Sequence, residues 1–350
     1  MYEESFLNLV KLLRPDIRAY VRDNKKTYEY PSFTTSIRDY LRSEKYCNLS
    51  NTLAPNLALL NEGWFDVESS NQRSLFVAQG VISFLIAFEL ANREFIHIKI
   101  HKTGSTSLNK ILGSPFPHLC IPTIKAILTP EEWKNAKKVC MVRNTHDRIA
   151  SWFLDITHLR NARFRIDENP DTRKEMIVEE KIEFFQYFGM KYEIKEKDNY
   201  LEVSVVDSTI QECFHNWISV GCPEFKPTLN ALVAVRAHQG LDLESTTYRA
   251  PHLPARHLNQ MNWIRDVINE DKDRYFIGDF KHYDRDIIHL CEFLNIESLN
   301  TIPHLNIASG RKEGDSHKNY RALYNDRSVD IISDLFKEEI DYFGFKFNEA

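Results

Sequence analysis

Two short strings constrain this chain more than anything else in it. The first runs from Phe95 to Leu108 and reads Phe-Ile-His-Ile-Lys-Ile-His-Lys-Thr-Gly-Ser-Thr-Ser-Leu. The second runs from Val139 to Trp152 and reads Val-Cys-Met-Val-Arg-Asn-Thr-His-Asp-Arg-Ile-Ala-Ser-Trp. Each is an apolar strand that breaks into a polar turn and then starts a helix. Repeated strand–turn–helix strings predict an α/β protein with a parallel, P-loop-like sheet flanked by helices. Such turns are also where an open sheet takes anions. Backbone N–H groups point at the ligand there, and the helix dipole favours negative charge. One turn carries Lys102 and the other Arg143, which implies a ligand with two separated anionic groups.

The rest of the chain is read around these strings. Residues 1–92 are expected to form a helical N-terminal region, and residues 93–350 the domain that carries both strings. An amphipathic run from Phe6 to Leu13 is expected to stop before Pro15. Leu75–Leu90 is apolar but interrupted by Gln79, Gly80, Ser83 and Glu89. It falls short of the ~20 residues that span a bilayer and reads as a buried helix. Ile96, Ile98 and Ile100 alternate with His97 and Lys99, a period-two strand; Lys99 must find solvent or a partner. A helix is expected from Thr106 to Leu112. Another starts at Pro130 with Thr129 as its N-cap, and a third covers Ile149–Leu159. Tyr275–Phe280 reads as a late strand, Asp284–Leu294 as the helix after it, and Val329–Phe343 as a closing helix. The charge-rich stretch within 160–255 reads as an insertion or lid on the acceptor side.

Composition removes several function classes. An apolar fraction of 43% fits a globular chain of 350 residues with a sizeable core. The net charge of −5 gives no polybasic signature, so nucleic acid is not an expected partner. The six cysteines form no CxxC pair and read as free, mostly buried thiols. The acidic opening Met1–Ser5 is not a signal peptide, which points to a cytoplasmic protein without a membrane span.

Lys102-Thr103-Gly104-Ser105-Thr106-Ser107 resembles the 5′-phosphosulfate loop of sulfotransferases that use 3′-phosphoadenosine 5′-phosphosulfate (PAPS). Arg143, with Ser151 two turns into the next helix, resembles their 3′-phosphate site. The string Val142-Arg143-Asn144 running into Asp147-Arg148-(x)2-Ser151-Trp152 is most similar to the sulfotransferase-2 branch, which includes carbohydrate sulfotransferases. Pro303-His304-Leu305-Asn306 and the aromatic close Tyr342-Phe343-Gly344-Phe345 resemble later family elements. The resemblance covers residues 93–160 well and 255–347 loosely. Thr145 stands where the family has Pro, Ser105 where it has Gly, and His101 where it has Pro.

The resemblance implies transfer of a sulfuryl group from PAPS to an acceptor hydroxyl, carbohydrate or small natural product, releasing adenosine 3′,5′-bisphosphate (PAP). Chemically, the transfer needs positioning and charge neutralisation rather than covalent work from the protein. Lys102 would meet the charge on the leaving phosphate, and Gly104 would let backbone approach it. Thr103, Ser105, Thr106 and Ser107 would add donors. Arg143 and Ser151 would hold the 3′-phosphate, with Arg311 and Lys312 closing over the nucleotide. A base must take the acceptor proton. His118 is the first candidate and His101, which could instead orient the loop, the second. Trp152 and Phe153 read as core. No metal-ligand cluster accompanies these residues. A Gly-(x)4-Gly-Lys-Ser/Thr nucleotidase loop does not match, because Lys102 precedes Gly104. The alternatives are a non-catalytic PAP-binding relative and, more distantly, a P-loop kinase.

Overall fold

The computed structural model describes residues 10, 14–23, 71–114, 116–119, 121–156, 162–165, 188–197, 200–222, 259–297, 302–303 and 320–348. In chain order the helices are α1 (14–23), α2 (Asn71–Leu90), α3 (Ser105–Ile111), α4 (Ile121–Ile127), α5 (Pro130–Asn135), α6 (Thr145–Ile156), α7 (Ile210–Ser219), α8 (Met261–Ile264), α9 (Tyr283–Leu294), α10 (Asp326–Leu335) and α11 (Lys337–Phe343). The strands are β1 (Phe95–His97), β2 (Lys137–Val142), β3 (Ala162–Arg165), β4 (Tyr192–Lys197), β5 (Tyr200–Val205) and β6 (Tyr275–Asp279). The architecture is mixed α/β. Contacts divide the chain into two compact units, one drawn from 1–143 and 260–309, the other from 144–259 and 310–350.

The first unit is built on a three-stranded parallel sheet in the order β1-β2-β6. Strand β2 is the middle strand. It pairs Ile96 with Lys138 on one side, and Val139 with Phe276 and Cys140 with Ile277 on the other. Parallel sheets are covered on both faces, and Val139, Cys140, Met141 and Val142 are all buried, as an unbroken apolar run requires. The same burial overrides the expected alternation in β1. Ile96, Ile98 and Ile100 are buried, but so is His97. Gly278 is needed beside Met141, since a Cβ there would lie 2.5 Å from the Met141 sulfur.

Helix α2 is buried through Val81, Phe84, Leu85, Ile86 and Phe88, as its nearly all-round apolar sequence requires. It ends with Asn92 and Arg93 in left-handed conformations, and the Arg93 amide reaches back to the Phe88 carbonyl at 2.9 Å. Helix α1 takes Pro15 in its first turn, where Pro is tolerated, and the expected helix over Phe6–Leu13 lies, apart from Val10, outside the described residues. Its Arg14 binds Glu132 at 2.5 Å. Thr129 is the N-cap of α5, as the sequence predicts, and that Glu132 completes a capping box with it. Lys138 is buried at the start of β2. It is held by Glu270 at 2.8 Å and by the Trp133 carbonyl, with the Trp133 ring beneath it.

The second unit holds an antiparallel sheet in the order β3-β5-β4, with Phe164 opposite Leu201 and Ile194 opposite Val203. Its apolar core joins α6, α7, the turn at Tyr320–Leu323 and α10 around Phe153, Phe214, Trp217 and Tyr324. The Phe214 ring meets Tyr324 edge-on at 4.8 Å. Trp152 and Phe153 are both buried, in line with their reading as core.

Asn144 caps α6 by accepting from the His146 amide at 3.1 Å, which sets the helix start at Thr145 rather than Ile149. The Asn144 amide also donates to the Lys346 carbonyl at 2.9 Å. The Phe347 ring packs on His146, Tyr320 and Tyr324. Arg148 and Glu339 form a fully buried ion pair at 3.3 Å, and Thr145 donates to the same carboxylate. The expected single closing helix is two helices, broken at Phe336, whose side chain is fully buried.

Among the described residues no helix is long and apolar enough to cross a membrane. Cys140, Cys213, Cys222 and Cys291 are free and buried, and burial pushes the Cys140 thiol up to about 12. Cys47, Cys120, Phe6, Arg160, His304, Asn306, Arg311 and Lys312 lie outside the described residues.

Candidate functional site

The loop after β1 is shaped by its own hydrogen bonds. The Ile98 amide extends the β1–β2 ladder by donating to the Val139 carbonyl at 2.8 Å. The Thr103 hydroxyl is buried and donates to the Ile100 carbonyl at 3.0 Å, which pins the turn. That hydroxyl is therefore committed to the loop rather than offered to a ligand. Lys102 and Gly104 both adopt left-handed conformations, with φ of 63° and 76°. For a lysine this is strained by about 1 kcal/mol, a cost found where a loop must aim its groups. Gly104 has a second reason to be glycine. A Cβ there would sit 2.8 Å from Phe280 and 3.1 Å from Tyr283. Helix α3 opens directly afterwards, with the Leu108 amide donating to the Gly104 carbonyl at 3.1 Å.

Of the loop's remaining hydroxyl residues, Ser105 and Ser107 are buried and Thr106 is partly exposed. Ser107 lies beside Tyr283. Burial raises that phenol to about 12, and Ser107 partly offsets the effect.

Arg143 follows β2 immediately and is partly exposed. Its guanidinium donates to the Lys102 carbonyl at 3.0 Å, and its Cζ lies 4.5 Å from the Phe280 ring centre. Its backbone is held by Gln260. The Gln260 side chain accepts from the Arg143 amide and donates to the Arg143 carbonyl, both at 2.9 Å. The two sequence-selected cationic residues are thus brought together. Ser151 is partly exposed on α6 and belongs to the second unit.

His118 lies beside the same loop. Its Nδ1 is 2.7 Å from the Lys99 carbonyl. A carbonyl only accepts, so Nδ1 carries the proton and Nε2 is the basic nitrogen of the neutral ring. The His101 ring stacks on His118 and meets Trp263 edge-on at 5.7 Å. His97 is a different case. It is buried against Asn109 at 2.7 Å, and burial lowers its pKa to about 3, only partly opposed by that hydrogen bond. It is a neutral core group. Lys99 has most of its side chain covered, and desolvation lowers its ammonium to about 8. Among the described residues no group of three or more His, Cys, Asp and Glu is placed to hold a metal ion.

Gln260, Trp263, Phe280 and Tyr283 complete the site and were not singled out by sequence reasoning. Phe280 closes the string read as a strand, so its position was visible but its contact with Arg143 was not. Gln260 stands in no recognisable motif. No protein-family model, no curated protein and no solved structure matches the chain.

Proposed function

We propose that the first unit binds PAPS through a P-loop-like phosphate loop and that the protein transfers its sulfuryl group to an acceptor hydroxyl, releasing PAP. The observation that carries this reading is the meeting of Lys102 and Arg143 at the ends of adjacent parallel strands, with the Arg143 guanidinium on the Lys102 carbonyl. Two cations on one rim suit a nucleotide with phosphates on its 5′ and 3′ oxygens. The resemblance of the Lys102–Ser107 and Val142–Trp152 strings to sulfotransferase loops supplies the chemistry.

In the transfer, the acceptor oxygen attacks sulfur while the bond from sulfur to the 5′-phosphate oxygen breaks. The electron pair leaves with that phosphate, and Lys102 stabilises the added charge. The acceptor proton goes to Nε2 of His118, the nitrogen left basic by the Nδ1–H bond to Lys99. Arg143 holds the 3′-phosphate. The acceptor is a sugar or small-molecule hydroxyl.

Calorimetric titration of PAP against ATP tests the donor site. PAP is expected to bind wild type, ATP much more weakly, and Arg143→Ala to weaken PAP by about tenfold or more while residual binding stays measurable. Equal binding of ATP, or no PAP binding, would sink the assignment. Loss of transfer in Lys102→Met with PAP still bound would separate catalysis from binding.

A further inference from the structure

We infer that Gln260 is a positioning residue for Arg143, and that with Phe280 it sets the preference for a nucleotide carrying a 3′-phosphate. The inference rests on the reading of the first unit as a PAPS site. The β2–β6 ladder ends with Val142 opposite Asp279, so Arg143 lies one residue past the sheet. Gln260 supplies what a neighbouring strand would. Its side-chain amide takes both the N–H and the carbonyl of that one residue, at 2.9 Å each. Gln260 is fully buried, so water does not compete for either bond. A buried amide left unmatched is costly, which fixes its oxygen toward the Arg143 amide and its nitrogen toward the carbonyl.

The clamp determines where the Arg143 side chain leaves the backbone. From there the guanidinium lies over the Phe280 ring and reaches the Lys102 carbonyl. An arginine held at its backbone, its face and one donor loses little further freedom on meeting an anion. The turn that begins at Gln260 also carries Trp263, whose ring meets His101, the residue before Lys102. One short segment therefore touches both loops and fixes the separation of their backbones. That separation is what a nucleotide with two phosphates must match.

The test compares PAP with adenosine 5′-monophosphate, which lacks only the 3′-phosphate. Both are titrated calorimetrically into wild type, Gln260→Met, Phe280→Leu, Arg143→Ala and the Gln260→Met/Arg143→Ala double variant, with thermal melts of each. Wild type should prefer PAP. Gln260→Met and Phe280→Leu should each weaken PAP by about tenfold or more while leaving the monophosphate within about twofold. In the Arg143→Ala background Gln260→Met should cost nothing further. Equal weakening of both nucleotides, or full additivity in the double variant, overturns the inference and makes Gln260 a structural residue only. If wild type binds PAP but the ratio does not move, this inference alone falls. If wild type does not bind PAP, the PAPS reading falls and takes it along. Should Gln260→Met not fold, Gln260→Glu, which keeps the acceptor for the Arg143 amide, and Phe280→Leu decide by the same ratio.

Discussion

The imidazoles of His101 and His118 lie face to face, with ring centres 3.7 Å apart and planes 9° from parallel. The stack fixes the plane of His118, and the bond from Nδ1 to the Lys99 carbonyl fixes its rotation within that plane. Under the proposed function, His118→Gln should lower acceptor-dependent PAP release by roughly 10²–10⁴-fold and leave PAP affinity unchanged. A parallel fall in PAP affinity would move His118 from base to donor binding. His101→Phe keeps a flat ring in the stack and should retain most of the turnover that His101→Ala loses.

Gly104 is constrained twice, by φ of 76° and by the Phe280 ring 2.8 Å from where a Cβ would stand. Gly104→Ala should destabilise the protein by about 1–3 kcal/mol in denaturant unfolding. It should also weaken PAP binding, because the loop must open to relieve the contact. An unchanged midpoint with intact PAP binding would show that the loop tolerates a side chain there.

Arg148 belongs to the string that resembles the sulfotransferase motif, yet its structural place is a fully buried pair with Glu339. Removing one partner of such a pair leaves a buried charge. Arg148→Met or Glu339→Gln should each cost about 3–5 kcal/mol in unfolding free energy. The double replacement Arg148→Met/Glu339→Leu should recover part of that loss. Single variants that melt like wild type would show that the pair is dispensable.

Acid should weaken the fold through two histidines. His97 is held near 3 and His146 near 4 by burial, while unfolded histidine titrates near 6.5. Between those values the unfolded chain binds protons that the folded chain refuses. Their stabilisation is complete above about 6.5 and is lost as pH falls toward the folded values, at up to about 1.4 kcal/mol per pH unit for each histidine. Urea midpoints measured from about pH 7 down to about pH 5 should fall steadily, and His97→Gln should flatten the slope by one proton's worth. A slope unaffected by His97→Gln would place the acid sensitivity elsewhere.

The strands and turns that carry Lys102 and Arg143 were legible because apolar runs ending in polar turns have one common structural outcome. Thr129 was legible for the same local reason, as a cap set directly before Pro130. The antiparallel sheet was not. Tyr192–Lys197 and Tyr200–Val205 interleave charge with apolar residues in a stretch whose overall charge suggested a surface insertion. Pairing such as Ile194 with Val203 is a relation between segments that neither announces alone. The break at Phe336 was hidden in the same way, because its helical pattern continues through a residue whose burial turns the chain. Gln260 had no sequence signal at all. A side-chain amide that matches one distant peptide group leaves no periodicity behind.

The tie between Asn144 and Lys346 joins the segment after α11 to the start of α6. The Phe347 carbonyl accepts from Tyr320, its ring covers His146, and the Asn348 carbonyl accepts from Arg321 at 2.7 Å. Residues 346–348 are the stopper of the second unit. Removing residues 346–348 would uncork a histidine and two tyrosine rings together. Fusions intended to leave the fold intact should extend past this segment and never replace it.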